Sequence, residues 1–217
     1  GNNDEVCKYI DIVANNLKEA GVTYKVDNTD KTPGFKFAEA EVLGIPVRIE
    51  VGERDLKENK ITFVRRDTNE KYTVDKDIDI LNYTSNLLEK IQTNLFNKAK
   101  ERLDNFVVDM YKKDKSLSKF IKIVEPDLFG FVKAGPACNI NWNSSRQVIP
   151  FLESLGFKLE TRDKATGGIK KSVDATVIEG QKSVHPIAKV YLEFKAAQKV
   201  TSTYGQNFLD LINPVTG

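Results

Sequence analysis

The residues of this chain best suited to contact a ligand are arginines that stand close to acidic residues in the first half of the sequence. The cations of this set are Arg48, Arg54, Arg65 and Arg66, and the neighbouring acids are Glu50, Asp55 and Asp67. Arginine presents several donors in a fixed fork, which suits phosphate groups and the edges of bases. The alternative interpretation is that the carboxylates only pair these arginines on a solvated ionic surface.

An aromatic-basic run, Phe35, Lys36 and Phe37, precedes the first of these arginines. Phe35 could stack on an unpaired base, which is the usual way in which single-stranded loops are recognised. Lys36 would add a cation beside that ring.

A second set of cations lies in the last third of the chain. Lys164, Lys170 and Lys171 surround Gly167-Gly168, and the line Lys195, Lys199, Ser202 and Thr203 follows helical spacing. Lysines and small hydroxyl groups can hold a sugar-phosphate backbone without selecting a sequence. An ordinary solvated helix face is the alternative explanation.

The sequence shows no catalytic constellation. His185 is the only histidine and precedes a proline where a helix begins, so we expect a cap or a surface residue. Cys7 and Cys138 have no CxxC spacing and are expected to be small buried or half-buried residues. Without a P-loop, GxGxxG or metal-ligand cluster, we predict no catalytic residue, metal or cofactor in this chain.

The elements that must position the first set of cations alternate between helices and strands. Pro46–Val51 and Ile61–Arg66 alternate apolar and polar residues, as half-buried strands do. The remaining predicted elements are a helix over Asp4–Ala20 capped by Gly21, a strand over Val22–Val26, a loop over Asp27–Pro33, a short helix ending at Gly44, a hairpin connection over Leu56–Lys60, and a long helix opened by Asp75–Asp79. This order predicts an α/β layered unit.

The second half is predicted to be mainly helical. The helical pattern continues past residue 100, and we interpret it as two helices that meet near Arg102–Phe106 and are continuous there. The other predicted elements are a helix over Gln147–Leu155, a basic tip loop over Arg162–Lys171, and a last helix that starts at Pro186 and ends at Asn213-Pro214. Trp142 and Phe151 are expected in the core.

Composition fits an ordinary globular protein. The chain has 217 residues, 40% hydrophobic and 29% charged, with a net charge of +2. Residues 1–105 carry 17 basic and 20 acidic side chains, and residues 106–217 carry 16 and 11, so the halves differ as −3 and +5. The basic half is compatible with a phosphate-binding surface. Neither a signal peptide nor a membrane-spanning run is evident, so we expect a cytoplasmic protein.

The pieces KVDNTDKTPGFKFAEAEVLGIPVRIEVGERD and ITFVRRDTNEK resemble the anticodon-binding domain of archaeal/eukaryote-type prolyl-tRNA synthetases. This resemblance implies that residues 1–105 bind tRNA at an edge that reads the anticodon. The implied tRNA-binding residues are Phe35, Lys36, Arg48, Glu50, Arg54, Asp55, Arg65, Arg66 and Asp67. The family has a strand before the first helix, which this chain lacks, so we expect a truncated α/β domain with an exposed sheet edge or a vacant slot.

The pieces CNINWNSSRQVIPFLESLGF, KKSVDATVIEG and HPIAKVYLEFKAAQKVTSTYGQNFLDLINPVTG resemble the thumb region of family A DNA polymerases. This resemblance implies that residues 106–217 are a mainly α-helical thumb fragment that contacts primer-template DNA. The implied DNA-binding residues are Lys164, Lys170, Lys171, Lys195, Lys199, Ser202 and Thr203.

The two resemblances together predict a chimera. The chain starts at Gly1 and stops at the Asn-Pro-x-Thr-Gly turn, so we expect the catalytic parts of both parents, with their ATP and magnesium, to be absent. We predict nucleic-acid binding without catalysis, from parents that perform proline–tRNA ligation and DNA synthesis. The alternatives are a structural or interaction protein, an artificial fusion with no retained activity, and an enzyme with an unrecognised site.

Overall fold

The computed structural model of the chain describes residues 4–127, 131, 134–163 and 167–203, and only the backbone of residues 202 and 203. Two units are distinguished by their internal contacts, Gly1–Asn94 and Leu95–Gly217. The predicted division into 1–105 and 106–217 rests on the two resemblances and stays a prediction.

The first unit is built from helices and one antiparallel sheet. Its elements are α1 (Asp4–Glu19), α2 (Pro33–Val42), β1 (Val47–Glu50), α3 (Glu53–Lys57), β2 (Lys60–Arg65), β3 (Lys71–Asp75) and the start of α4 (Ile80–Lys113). The strands lie in the order β1-β2-β3, with both pairs antiparallel. The α/β prediction is confirmed for this unit.

Two glycines end the first two helices in the same way. Gly21 and Gly44 have φ values of +70° and +75°, which glycine adopts without the steric cost that a Cβ brings. The N–H of Val22 then donates to the carbonyl of Leu17 at 2.9 Å, and the equivalent bond closes α2. These bonds satisfy carbonyls at the helix ends, so the predicted end points follow from the glycines.

The core of the first unit joins α1, the sheet and α4. Its buried members are Val13, Leu17, Ile61, Phe63, Ile80 and Leu87. Phe63 is fully buried, and its ring centroid lies 4.7 Å from that of Tyr83. The apolar positions of α1 and β2 recur at the helix and strand periods, which explains why the sequence pattern located them.

Two predictions for this unit are wrong, and one of its strands was not predicted. Val22–Val26 is not a strand, since no ladder partner for it lies within the described residues and an extended segment alone cannot satisfy its backbone groups. The connection predicted at Leu56–Lys60 begins inside α3. The third strand, β3, was not predicted, although Tyr72 and Val74 alternate with polar residues there.

The second unit is mainly helical, with two short ribbons. After α4 come a 3₁₀ helix (Lys115–Phe120), β4 (Ile121–Val124), β5 (Gly135–Cys138), α5 (Ser145–Ser154), β6 (Glu160–Arg162), β7 (Ile169–Lys171), α6 (Ala175–Glu179) and α7 (Ile187–Thr203). The strand pairs β4-β5 and β6-β7 are antiparallel. In the described part of the chain, no helix combines the length and apolarity needed to cross a membrane.

Of three predictions for the second unit, one is confirmed, one is partly wrong and one lies outside the described residues. The helix continuity through Arg102–Phe106 is confirmed, because α4 is one helix of 34 residues. The tip loop predicted over Arg162–Lys171 is partly wrong, since β6 and β7 pair there. The predicted end of the last helix at Asn213-Pro214 lies outside the described residues.

The core of the second unit collects aromatic side chains from several elements. Trp142 and Phe151 are buried there, as predicted, with ring centroids 5.7 Å apart. The indole Nε1–H of Trp142 donates to Asp104 Oδ1 at 2.6 Å, which anchors the ring to α4. Fully buried Tyr191 donates its hydroxyl to the carbonyl of Val173 at 3.1 Å. Each buried polar tip thus has a partner, as burial requires.

His185 caps the start of α7, as the sequence predicted. Its Nδ1 accepts the N–H of Ile187 at 3.2 Å, so the ring is neutral in this contact. The ring lies edge-on to Phe106, 6.2 Å between centroids, and burial lowers the pKa of His185. Protonation would therefore cost both the bond and the favourable burial of the neutral ring.

This cap makes stability depend on pH. Because the folded pKa of His185 lies below the unfolded value of about 6.5, the free energy of unfolding should fall as pH decreases through that value. We expect His185→Asn, whose side chain can accept the same bond without titrating, to show a smaller loss between pH 7.5 and 5. Denaturant titrations of both proteins at each pH would measure this difference, and identical losses would contradict it.

Candidate nucleic-acid interface

One face of the sheet in the first unit is polar. Arg48 pairs with Val64 and Glu50 with Thr62 across β1 and β2, so these side chains share a face. The register of β2 with β3 adds the last members of this face, Lys71 and Thr73. The opposite face carries Val47, Ile49, Ile61 and Phe63 into the core.

The centre of the polar face is a cluster of four side chains, Phe37, Arg48, Glu50 and Lys71, called here the Arg48 cluster. The guanidinium carbon of Arg48 lies 4.1 Å from the ring centroid of Phe37. Arg48 Nε and Nη2 donate to Glu50 Oε1 at 3.0 and 2.8 Å. Lys71 Nζ donates to Glu50 Oε2 at 3.2 Å. These contacts hold α2 against the sheet.

The Arg48 cluster offers both donors and an acceptor to a ligand. Two of the five N–H donors of Arg48 go to Glu50. The Lys71 side chain is 57% exposed, whereas those of Arg48 and Glu50 are about one-fifth exposed. A half-buried guanidinium held by an aromatic ring is pre-organised for a planar, bidentate contact with phosphate or a base edge.

Arg65 lies on the other face of the sheet and is buried. Its Nε and Nη2 donate to the two carboxylate oxygens of Asp67 at 3.0 and 2.7 Å, and Asn94 Nδ2 donates to the same carboxylate at 2.6 Å. The side chains of Arg65 and Asp67 are only 8% and 2% exposed. The structure therefore places this predicted pair inside the unit, where it ties the end of β2 to α4.

Each partner of the Arg65–Asp67 pair stabilises the charged form of the other. Burial acts to raise the pKa of Asp67, but the hydrogen bonds from Arg65 and Asn94 outweigh it and the pKa is lowered. The hydrogen bond to Asp67 likewise raises the pKa of Arg65. The pair therefore stays ionised at neutral pH.

Three further residues of the predicted set each have an environment of their own. They are Arg66, Arg54 and Asp55. Arg66 is exposed, and its Nε donates to the carbonyl of Glu41 in α2 at 3.3 Å. Arg54 and Asp55 belong to α3 and do not follow β1 as a strand end, which the sequence pattern suggested. The Asp55 carboxylate folds back over Gly52, where an added Cβ would come within 2.7 Å of its Oδ2.

The aromatic-basic run divides between two environments. The Phe35 ring is 56% exposed, with Lys31 Nζ 4.5 Å from its centroid. Lys36 is half-buried and donates to the carbonyl of Asp27 at 3.1 Å. Phe37 turns to the sheet instead. Sequence reasoning missed Phe37 and Lys71, because the ring's contact with Arg48 is tertiary and β3 was not predicted.

Three of the lysines predicted to contact DNA, Lys170, Lys171 and Lys195, have side-chain partners. Lys170 Nζ lies 2.7 Å from Asp163 Oδ2, and Lys171 bonds Glu153. Lys195 is half-buried and donates to Gln198 Oε1 at 2.9 Å, whereas Lys199 is exposed one turn further along α7. Lys164 lies outside the described residues, as do the side chains of Ser202 and Thr203.

A comparison with known families assigns the first unit. Residues 1–82 match the family model described as the anticodon binding domain. Residues 1–82 of this chain are therefore similar to an anticodon-binding domain. The Arg48 cluster and the Arg65–Asp67 pair both lie inside the matched range.

The same half is similar to curated proline–tRNA ligases. The identity is 49% over 117 residues with the enzyme of Bacteroides fragilis, 42% over 109 residues with that of Mycoplasmopsis synoviae, and 46% over 101 residues with that of Symbiobacterium thermophilum. These matches cover 50%, 50% and 46% of this chain and 23%, 22% and 20% of the relatives. The chain thus spans less than a quarter of their length. The polymerase resemblance of residues 106–217 stays a prediction.

The burial of the Arg65–Asp67 pair predicts a structural effect on mutation. Asp67→Ala would remove the close partner of a buried guanidinium and leave Arg65 only its longer contact with Glu70, 3.6 Å from Nη1 to Oε2, so we expect a loss of about 3 kcal/mol in the free energy of unfolding. Lys57→Ala removes an exposed partner of Glu53 and serves as the control, with a much smaller loss, because solvent screens that ion pair. Urea denaturation measures both, and equal effects would contradict the assignment.

Proposed function

We propose that the first unit binds a proline tRNA at its anticodon through the polar face of its sheet. The observation that carries this proposal is the Arg48 cluster, which presents a pre-organised guanidinium, an exposed ammonium and a carboxylate within a domain of the anticodon-binding family. The relatives named proline–tRNA ligases supply the class of tRNA.

The chemistry of the cluster suits an unpaired anticodon loop. Arg48 and Lys71 can donate to phosphate oxygens or to acceptors on base edges, and Glu50 can accept from a base amino or imino group. The exposed ring of Phe35, at the start of α2, is available for stacking on a base. Arg54 and Arg66 are exposed and would add phosphate contacts.

Arg65 and Asp67 act indirectly in this proposal. Their buried bond fixes the end of β2, from which Arg66 emerges into solvent. We therefore assign them as positioning residues, and assign direct contact to exposed and half-buried groups. Lys36 and Asp55 are half-buried and support α2 and α3.

The chain is proposed to bind without catalysing a reaction of its own. Cys138 is not an activated nucleophile, since burial raises the pKa of its thiol to about 12. Proline–tRNA ligation, with its ATP and magnesium, would then belong to sequence outside this chain. The competing hypothesis is a folded protein with no affinity for nucleic acid, and the experiments below test it.

A second candidate function concerns the second unit, which we propose grips a primer-template DNA duplex without reading its sequence. One observation favours it: Lys195 and Lys199 lie one turn apart on α7, whereas Lys170 and Lys171 are successive residues of β7 that each pair with a carboxylate. Such cations fit sequence-independent contacts with phosphates. The same DNA role is proposed for Lys164, Ser202 and Thr203 from the resemblance alone.

Binding to tRNA tests the first proposal. We expect Arg48→Ala and Lys71→Ala each to weaken the affinity for a proline tRNA about tenfold, because each removes a charged contact. A proline tRNA with a changed anticodon should also bind more weakly to the unaltered protein. Fluorescence anisotropy with labelled tRNA measures these affinities.

The control for this experiment is Lys112→Ala, which removes one exposed positive charge in the second unit. It should leave tRNA affinity unchanged, and circular dichroism should show that every variant is folded. Equal affinity for both tRNAs, or no binding by folded protein, would contradict the proposal.

Duplex binding tests the second proposal. We expect Lys195→Ala combined with Lys199→Ala to lower the affinity for a primed DNA duplex and to reduce the slope of log affinity against log salt by about two. Lys112→Ala with Lys182→Ala removes two charges elsewhere in this unit and is the matched control. A slope that is the same for both double variants would refute this role for α7.

A further inference from the structure

Two lysines outside the predicted set bind one carboxylate of α2. Lys25 Nζ lies 3.3 Å from Glu39 Oε1, and Lys31 Nζ lies 2.9 Å from Glu39 Oε2. The hydrogen bonds from Lys31 and Lys25 lower the pKa of Glu39, so its carboxylate is ionised at neutral pH. Each oxygen of Glu39 therefore accepts a bond from a different ammonium group.

Lys31 also lies against an exposed aromatic ring of α2. Its Nζ is 4.5 Å from the ring centroid of Phe35, which is largely open to solvent. Phe35 and Glu39 are four residues apart in one helix, so their side chains share a face of α2. The ammonium of Lys31 thus contacts a ring and a carboxylate at once, on a part of α2 that a ligand can reach.

The loop that carries Lys31 is held by contacts that do not involve Glu39. Asp27 Oδ1 accepts hydrogen bonds from the backbone N–H and the hydroxyl of Thr29, at 3.0 and 2.6 Å. Lys36 Nζ donates to the carbonyl of Asp27 at 3.1 Å and lies 3.6 Å from Asp27 Oδ1. The side chain of Lys31 can therefore exchange its partner while its loop stays in place.

The bonds to Glu39 are of a kind that a phosphate group can replace. The side chains of Lys25 and Lys31 are 52% and 44% exposed, and solvent screens exposed ion pairs. Phosphate oxygens accept charge-assisted hydrogen bonds from lysine. A base stacked on Phe35 would bring the phosphate of its own nucleotide close to Lys31, because only a sugar separates the two.

From these contacts we propose that Lys25 and Lys31 form a phosphate subsite for the nucleotide whose base stacks on Phe35. Glu39 occupies this subsite in the free protein, and the phosphate replaces its carboxylate when RNA binds. Lys31 then gives up both of its partners, since the base takes its place on the ring. This inference rests on the proposed binding of tRNA by the first unit, and it assigns to Glu39 the role of a competitor that weakens binding.

Substitutions of Lys31 and Glu39 test the proposal, because both remove the same bond. If this bond only shaped the loop, Lys31→Ala and Glu39→Gln would change the affinity for tRNA in the same direction. In the proposed subsite Lys31→Ala weakens binding about fivefold, whereas Glu39→Gln strengthens it about threefold, since the lysines no longer exchange a partner. Fluorescence anisotropy with labelled proline tRNA and the whole chain measures both affinities.

The matched control is the exposed ion pair of Glu53 and Lys57 in α3, 2.8 Å from Oε1 to Nζ. Glu53→Gln and Lys57→Ala make the same changes of net charge in the same unit, and they should change the affinity for tRNA much less. Circular dichroism shows whether every variant is folded.

The salt dependence of binding gives a second readout. Lys25→Ala combined with Lys31→Ala should reduce the slope of log affinity against log salt by about one, because one phosphate loses its contact. Lys57→Ala should leave this slope unchanged. A slope that the double variant does not reduce would overturn the subsite.

Arg48→Ala separates this inference from the proposed function. If Arg48→Ala weakens tRNA binding but Lys31→Ala does not, or if Glu39→Gln weakens it, the subsite is refuted and the proposed function stands. A gain with Glu39→Gln no larger than that with Glu53→Gln would also overturn the subsite, because it would reflect net charge alone. Folded, unaltered protein that does not bind proline tRNA would refute the subsite and the proposed function together.

Discussion

The buried bond between Arg65 and Asp67 is the constraint on which the rest of the first unit depends. It lies where β2 ends, it is completed by Asn94 of α4, and both side chains are almost excluded from solvent. Breaking a buried ion pair is strongly destabilising, because it leaves a desolvated charge without its partner. The pair thereby links the end of β2 to α4 through Asn94, and it removes one arginine and one aspartate from the group that can meet a ligand.

The polar face of the sheet is organised by a different kind of contact. None of the residues of α2 is buried, and its links to the rest of the unit are ionic, cation–π and backbone contacts. Contacts of this type are individually weak, and solvent screens the exposed ionic ones further. A helix held in this way can adjust when a ligand competes for Arg48 or Lys36.

The second unit has a different construction. Trp142, Phe151, Tyr191 and Phe194 form a dense aromatic core, and the polar tips of Trp142 and Tyr191 are bonded to other elements. The lysines predicted to contact DNA lie outside this core, on β7 and α7. Substitution of these lysines leaves the contacts of the aromatic core intact. Their function must therefore be tested by variants of the lysines themselves.

The sequence by itself determined the local structure of this protein to a large extent. The apolar period located α1 and α4, the alternation located β1 and β2, and Gly21 and Gly44 marked where helices end, since each of these signals acts within a few residues. The motifs around Arg48 and Arg65 also indicated the anticodon-binding family that the comparison assigns to residues 1–82. Only the tertiary structure decided which side chains face solvent. Arg48 and Arg65 look alike in sequence, yet one lies on the polar face against Phe37 and the other is buried against Asp67. The failure of Val22–Val26 to form a strand has the same origin, because a strand exists only where a neighbour satisfies its backbone, and the neighbour is set by the fold.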